Sequence, residues 1–162
     1  MTEKEQLTQT WQREHVTTMR VLKAYPTDKS ELKPHEKSRS AKELAWTFAS
    51  EYAALKMALD KGQIDFMSLP KPPAEFSDIV TSCDKIQSEF MNSIANVSEA
   101  DLQKDIPFPS GPNQMGKLRL MDLCWMFLMD HIHHRGQFSV YIRLADGKVP
   151  SIYGPTADEP WM

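Results

Sequence analysis

The sequence predicts an all-α fold, a four-helix bundle made by a single domain, and three observations carry that expectation. Six glycines and eleven prolines punctuate the chain between long stretches instead of inside them, Gly136 excepted. Four of those stretches, each about twenty residues or more, repeat apolar residues at three- and four-residue intervals. No alternating apolar–polar run argues for a sheet.

Helix one is expected from about Lys4 to Ala24, with Leu7, Trp11, Met19 and Leu22 on its apolar side and Pro26 stopping it. Helix two has the clearest start. In SAKE, Ser40 can cap the first amides while Glu43 reaches back to form a capping box, and Gly62 suits the residue after the last turn. The intervening LAWTFASEYAALKMALDK is rich in good helix formers. Helix three covers about Glu75 to Ala95, where Phe76, Ile79, Cys83, Ile86, Phe90 and Ile94 recur with helical period. SEAD, from Ser98, can begin one more short turn. Helix four runs from about Leu118 to Ala145, with Gly147 ending it. Residues from about 148 to 162 are too proline-rich to extend it and read as an irregular tail, Trp161 being a candidate anchor. The longer connections before helices two and four leave room for a crossover or for lids over a site.

Composition excludes several functions. Hydrophobic residues are 41% and charged residues 25%, ordinary for a folded soluble chain. A net charge of −3 and scattered Lys and Arg give no footprint for nucleic acid. Cys83 and Cys124 are far apart with no zinc spacing, and read as small buried residues in a reducing compartment. The polar opening MTEKEQLTQTWQREH has no signal-peptide character, and the longest apolar stretch is broken by Asp122 and Asp130. A cytoplasmic protein off the membrane is expected.

The chemistry concentrates in DHIHHRGQ, Asp130 to Gln137, which holds three of the five histidines. With successive residues about 100° apart, Asp130 and His134 share a stripe with Leu123, Phe127 and Tyr141, which is expected to face the interior. His131 lies one step round and pairs with His134 at i, i+3. His133 and Arg135 are expected on the surface or at helix contacts. On helix two, Glu51 shares the stripe of Thr47, Leu44, Ala54, Leu55 and Ala58. A carboxylate there is costly unless paired or metal-bound. The residues alone leave two readings open: a metal centre, or a hydrogen-bonded Glu51–His134 pair. Gln137 and Tyr141 are expected to face the same polar cluster.

Beyond these patterns, HHRGQFSVYIRLADGKVPSIYGP resembles the C-terminal hallmark of the DinB-like superfamily. KPHEKSRSAKELAW is similar to the segment leading into that family's second helix, and the opening helix ending VLKAYP also fits. The resemblance implies an up-down-down-up four-helix bundle, a homodimer, and a divalent metal held by three histidines. Those positions fall on Thr47, Asp130 and His134, of which only His134 is histidine. A site on this chain would therefore use His134 and Asp130 with Glu51 or His131, a harder set than three imidazoles, compatible with zinc, nickel or manganese. The implied function is a metal-dependent transferase or hydrolase, thiol-dependent in some relatives. The alternative is a metal-free module that binds a small molecule or a partner on the same scaffold.

Overall fold

A computed structural model describes residues 1–162. Four long helices dominate it: α1 (Glu3–Lys23), α2 (Ala41–Lys61), α3 (Phe76–Asn96) and α5 (Leu120–Leu144), with the single turn α4 (Glu99–Leu102) after α3. α2 packs against α3 and α5, and α1 closes the ring by packing against the same two. The helix starts follow local chemistry. Thr2 with Glu5, and Ser40 with Glu43, both form complete capping boxes, and Ser98 caps α4. Gly62 ends α2 in the left-handed region at φ 67°, where a side chain would be strained.

The all-α expectation is corrected by one element. Residues Asp105–Gly111 (β1) and Gln114–Arg119 (β2) pair antiparallel, and α5 starts directly after β2. Pro107 and Pro109 sit inside β1, which is why the segment does not read as a strand. In a two-stranded ribbon each strand is an edge, so a missing N–H need not break a ladder. Ile106 is the one buried position of β1, so an alternating pattern is absent as well. The hairpin is tied to the helices where the Leu120 N–H donates to the Lys104 carbonyl at 2.9 Å.

The core is aromatic at its centre. Trp11 meets Tyr52 and Phe90 at ring-centroid separations of 5.3 and 5.2 Å, and Phe48 and Phe138 complete the layer. Each such ring, fully buried, contributes about 1.5–3 kcal/mol. The buried side of α5 centres on Cys124, Leu128, His131, Arg135, Phe138 and Ile142, with Leu123 and Tyr141 of the expected stripe buried at its margin. This stripe is rotated from the expected one. Asp130 is half-exposed and His134 lies at the edge, while His131 and Arg135 are the two polar side chains of α5 taken deepest, each 1% exposed. Arg135, expected at the surface or at a helix contact, is a buried helix contact. It donates to the Glu14 carboxylate at 2.6 Å, to the Glu14 carbonyl at 3.0 Å and to Thr18 Oγ1 at 3.2 Å.

The tail lies across α1 and α5. Tyr153 bonds both Arg135 and Glu14, Arg143 pairs with Asp158, and Arg20 pairs with Glu159. Trp161 does not act as an apolar anchor: the residue is 66% exposed and its Nε1 donates to Ser151 Oγ at 3.2 Å. Cys83 and Cys124 are buried, and burial pushes both thiols up to about 12. No helix is long and apolar enough to cross a membrane.

Candidate metal centre

Two helices supply the polar cluster. α2 carries Glu51 inward among Ala54, Leu55 and Ala58, leaving it 6% exposed. α5 presents Asp130, His131 and His134 across from it, one helical turn separating the first and the last. His131 enters the aromatic layer, with its ring 5.0 Å from Trp11, 5.0 Å from Phe48 and 4.5 Å from Tyr52, centroid to centroid. Its Nδ1 is hydrogen-bonded to Glu51 Oε2. Its Nε2, like Trp11 Nε1, is buried without a hydrogen-bond partner.

The other Glu51 oxygen turns outward. Oε1 lies 3.4 Å from His134 Nε2, which in turn lies 3.5 Å from Asp130 Oδ2. One donor atom each from Glu51, Asp130 and His134 fall within 4.8 Å of one another. Tetrahedral ligands about 2.0–2.2 Å from a metal stand roughly 3.3–3.6 Å apart, so two of the three separations already match a shared ion. The remaining polar contacts orient the donors. His134 Nδ1 faces Gln137 Oε1 at 3.2 Å, and Gln137 Nε2 faces His133 Nε2 at 2.8 Å. An Nδ1–H donated to Gln137 leaves the His134 Nε2 lone pair aimed at the carboxylates, the arrangement a metal-binding imidazole needs.

Electrostatics point the same way. Burial raises the Glu51 carboxyl well above its usual range. The His134 charge opposes this, while Asp130 adds to it through both its charge and a hydrogen bond. Burial lowers the His131 imidazole to about 3, and the charges of His134 and Arg135 reinforce the shift. Glu51 and His131 therefore favour a neutral pair. Two carboxyl groups facing one imidazole edge are a repulsive set that a proton or a cation must relieve. The donor set of two carboxylates and an imidazole, with its outer hydrogen bonds in place, fits a divalent ion.

The expected residues divide accordingly. Glu51, Asp130 and His134 come together. His131 reaches Glu51 but spends its accessible nitrogen on that carboxylate and stands outside the three-donor group. Thr47 faces Arg39, whose Nη1 donates to Thr47 Oγ1 at 2.8 Å, and Thr47 donates in turn to the Glu43 carbonyl at 3.2 Å. Tyr141 is buried and donates to the Arg39 carbonyl at 2.9 Å. Gln137 is exposed and supports His134. His35 is exposed and accepts from the Lys37 N–H. Arg39 went unnoticed in the sequence because it precedes the capping Ser40 and lies outside any helical period. No local pattern marks it, since it meets Thr47 from outside the helix that carries that residue.

Comparison with known proteins agrees with this architecture. No curated protein matches the chain. Among solved structures, a DinB-like protein from Bacillus cereus superposes with a TM-score of 0.74 at 18% identity, covering 92% of this chain and 97% of that one. A DinB-like protein from Bacillus subtilis gives 0.73 at 18% identity, covering 97% and 99%. At that identity the likeness is one of fold. The family model described as "DinB family" matches residues 1–161, so the chain belongs to the DinB family.

Proposed function

We propose that this chain is a metal-dependent enzyme of the transferase or hydrolase type, with Glu51, Asp130 and His134 holding one divalent ion, zinc, nickel or manganese. The observation that carries the reading is the gathering of their three donor atoms within 4.8 Å of one another, from two helices, at the edge of a dry aromatic core. An ion there would act as a Lewis acid on a substrate oxygen or lower the pKa of a bound water or thiol. The protein's own residues prepare for it. His131 fixes Glu51 by one oxygen so that the other is presented outward, and Gln137 fixes the tautomer of His134. The aromatic rings around His131 exclude water behind the carboxylates, which strengthens every charge interaction in front of them. Asp130, half-exposed, is the donor nearest solvent and marks the side from which substrate arrives.

The same reading places the centre in a single domain, an up-down-down-up bundle working in the cytoplasm as a homodimer. The exposed Met129, Val140 and Leu144 of α5 support a contact between copies. Elemental analysis of tag-free protein tests the centre. About one zinc, nickel or manganese per chain is expected, with loss in Glu51→Gln and His134→Ala. Protein that stays metal-free after incubation with all three ions would overturn the reading. The chain would then be a binding module, a role that the engagement of Thr47 with Arg39 in place of a third imidazole already favours over a three-histidine site.

A further inference from the structure

Three clefts meet at the donor cluster, and each donor opens onto a different one. Glu51 borders a cleft of about 470 Å³ between α2 and the α2–α3 connection. His134 borders one of about 480 Å³ beneath Pro34, and Asp130 borders one of about 510 Å³ beside the hairpin. Their walls differ in a way that describes a ligand. Phe66 from the α2–α3 connection, Phe108 from β1 and Phe127 from α5 form a continuous aromatic wall, with centroids 6.4 and 6.2 Å apart in succession. Trp46 and Leu69 extend it along the first cleft. These side chains come from four separate elements, and Phe66 is 49% exposed. An exposed apolar wall assembled beside a polar centre is the usual form of a small-molecule site.

Arg39 shares the first cleft with Phe66 and Phe127 of this wall. It borders both the first and the second cleft and is the one Lys or Arg lining either. Glu43 and Glu51 line the first cleft with it and feel its charge, but neither lies within ion-pair distance of it. Its single side-chain hydrogen bond goes to Thr47, which holds the guanidinium by one nitrogen and leaves the rest of the fork free. Thr47 occupies the position where the family resemblance puts an imidazole ligand, so the hydroxyl exchanges a metal contact for a fixed arginine.

We propose that the site accepts a monoanionic amphiphile, an aryl- or alkyl-carboxylic acid. Its carboxylate pairs with Arg39 and its apolar body lies along Phe66, Phe108 and Phe127. A single guanidinium with no second cation suits one carboxylate better than a phosphate dianion, and its planar fork matches carboxylate geometry. The inference rests on the proposed metal centre only for where the reacting end of the ligand would sit. The selection for charge and apolar body belongs to Arg39 and the wall.

Titration of the full chain with 4-phenylbutyrate, its amide and phenylphosphonate, followed by calorimetry and by tryptophan fluorescence, tests the proposal. Each titration is run with and without saturating zinc. The carboxylate is expected to bind about tenfold or more tightly than the amide in both forms, as a charge-assisted pair implies. Arg39→Ala should bring carboxylate affinity down to that of the amide, with Arg39→Lys intermediate. Phe108→Ala should weaken acid and amide alike and leave their ratio unchanged. Equal binding of acid and amide, no binding of either at millimolar concentration, or tighter binding of the phosphonate would each overturn it. So would a preference for acid that survives Arg39→Ala and is seen only in the presence of zinc, because the metal would then be the anion's partner. Failure of the metal reading leaves the zinc-free titrations intact, so the two can fail separately.

Discussion

Removing Arg135 should destabilise the protein far more than any surface charge change, and with a distinctive pH dependence. The guanidinium is 1% exposed, and it satisfies the carboxylate and the carbonyl of Glu14, the Thr18 hydroxyl and the Tyr153 hydroxyl together. Arg135→Ala strands a carboxylate that is 4% exposed, with only the Arg13 Nε at 3.6 Å and Tyr153 left beside it. Breaking one side of a buried ion pair costs about 3–5 kcal/mol. For a chain of 162 residues that lowers Tm by roughly 6–20 °C, at about 2–4 °C per kcal/mol. Urea and thermal unfolding at pH 7 measure it directly.

The pH dependence separates a stranded charge from a mere cavity. Burial pushes the Glu14 carboxyl up, but the hydrogen bonds from Tyr153 and Arg135 and the charges of Arg135 and Arg13 outweigh it, so its folded pKa lies below the ordinary 4.5. A depressed carboxyl contributes stability that is complete above 4.5 and is lost as pH falls through the folded value. In Arg135→Ala the folded value moves up and that contribution shrinks. The gap between parent and variant is therefore widest at neutral pH and narrows toward pH ~3. Glu14→Gln/Arg135→Met, which leaves no buried charge, should recover more than half of the loss at pH 7. A loss below about 1 kcal/mol, or a gap that stays constant with pH, would refute the account.

Other expectations follow from single contacts. His131→Phe keeps an aromatic ring in the cage but frees Glu51, and zinc affinity by competition with a chelator should fall about 10- to 100-fold while the fold survives. His15 is bonded through Nδ1 to the Tyr52 hydroxyl at 3.1 Å and through Nε2 to Asp84 at 3.0 Å. Burial lowers its pKa while Asp84 raises it, so Asp84→Asn should lower it further in an NMR titration. The stability His15 contributes is complete above its ordinary 6.5 and is lost as pH falls toward the folded value, a window that Asp84→Asn deepens. Gly62→Ala should cost about 1 kcal/mol by urea unfolding. The loss would come from backbone conformation alone, because an added Cβ there meets no atom within 4 Å.

The helices were legible where local chemistry acts within a few residues. The capping box of Ser40 and Glu43, the left-handed Gly62 and the turn at Ser98 all stand where the sequence puts them. The hairpin was not, because prolines on an edge ribbon erase the usual strand signal. The rotation of α5 was missed for a different reason. Polar residues occupy both candidate stripes, Asp130 and His134 on one, His131 and Arg135 on the other, so periodicity cannot rank them. Partners decide: Arg135 goes inward because Glu14, Thr18 and Tyr153 wait for it, and His131 because Glu51 does. Those partners lie 80 or more residues away for Glu51 and Glu14, beyond any local pattern.

That rotation also changes what the proposed centre can be. With Asp130 and His134 on the inward stripe, a metal would be enclosed by the bundle and its open positions would face the core. With them at the edge, the ion would have its back to the His131 cage and its open positions toward the three clefts. Exchanging two imidazoles for carboxylates hardens the donor set, which lowers its selectivity for zinc and nickel over manganese relative to three histidines. The exchange at Thr47 has a second effect, since the residue freed from ligation holds Arg39 beside the opening. A centre with less grip on its ion and a fixed cation at its mouth depends on the ligand's own carboxylate and apolar body for placement. In that arrangement Arg39 and the phenylalanine wall would supply the ligand's positioning, and ligand selectivity would be separable from metal affinity by mutation.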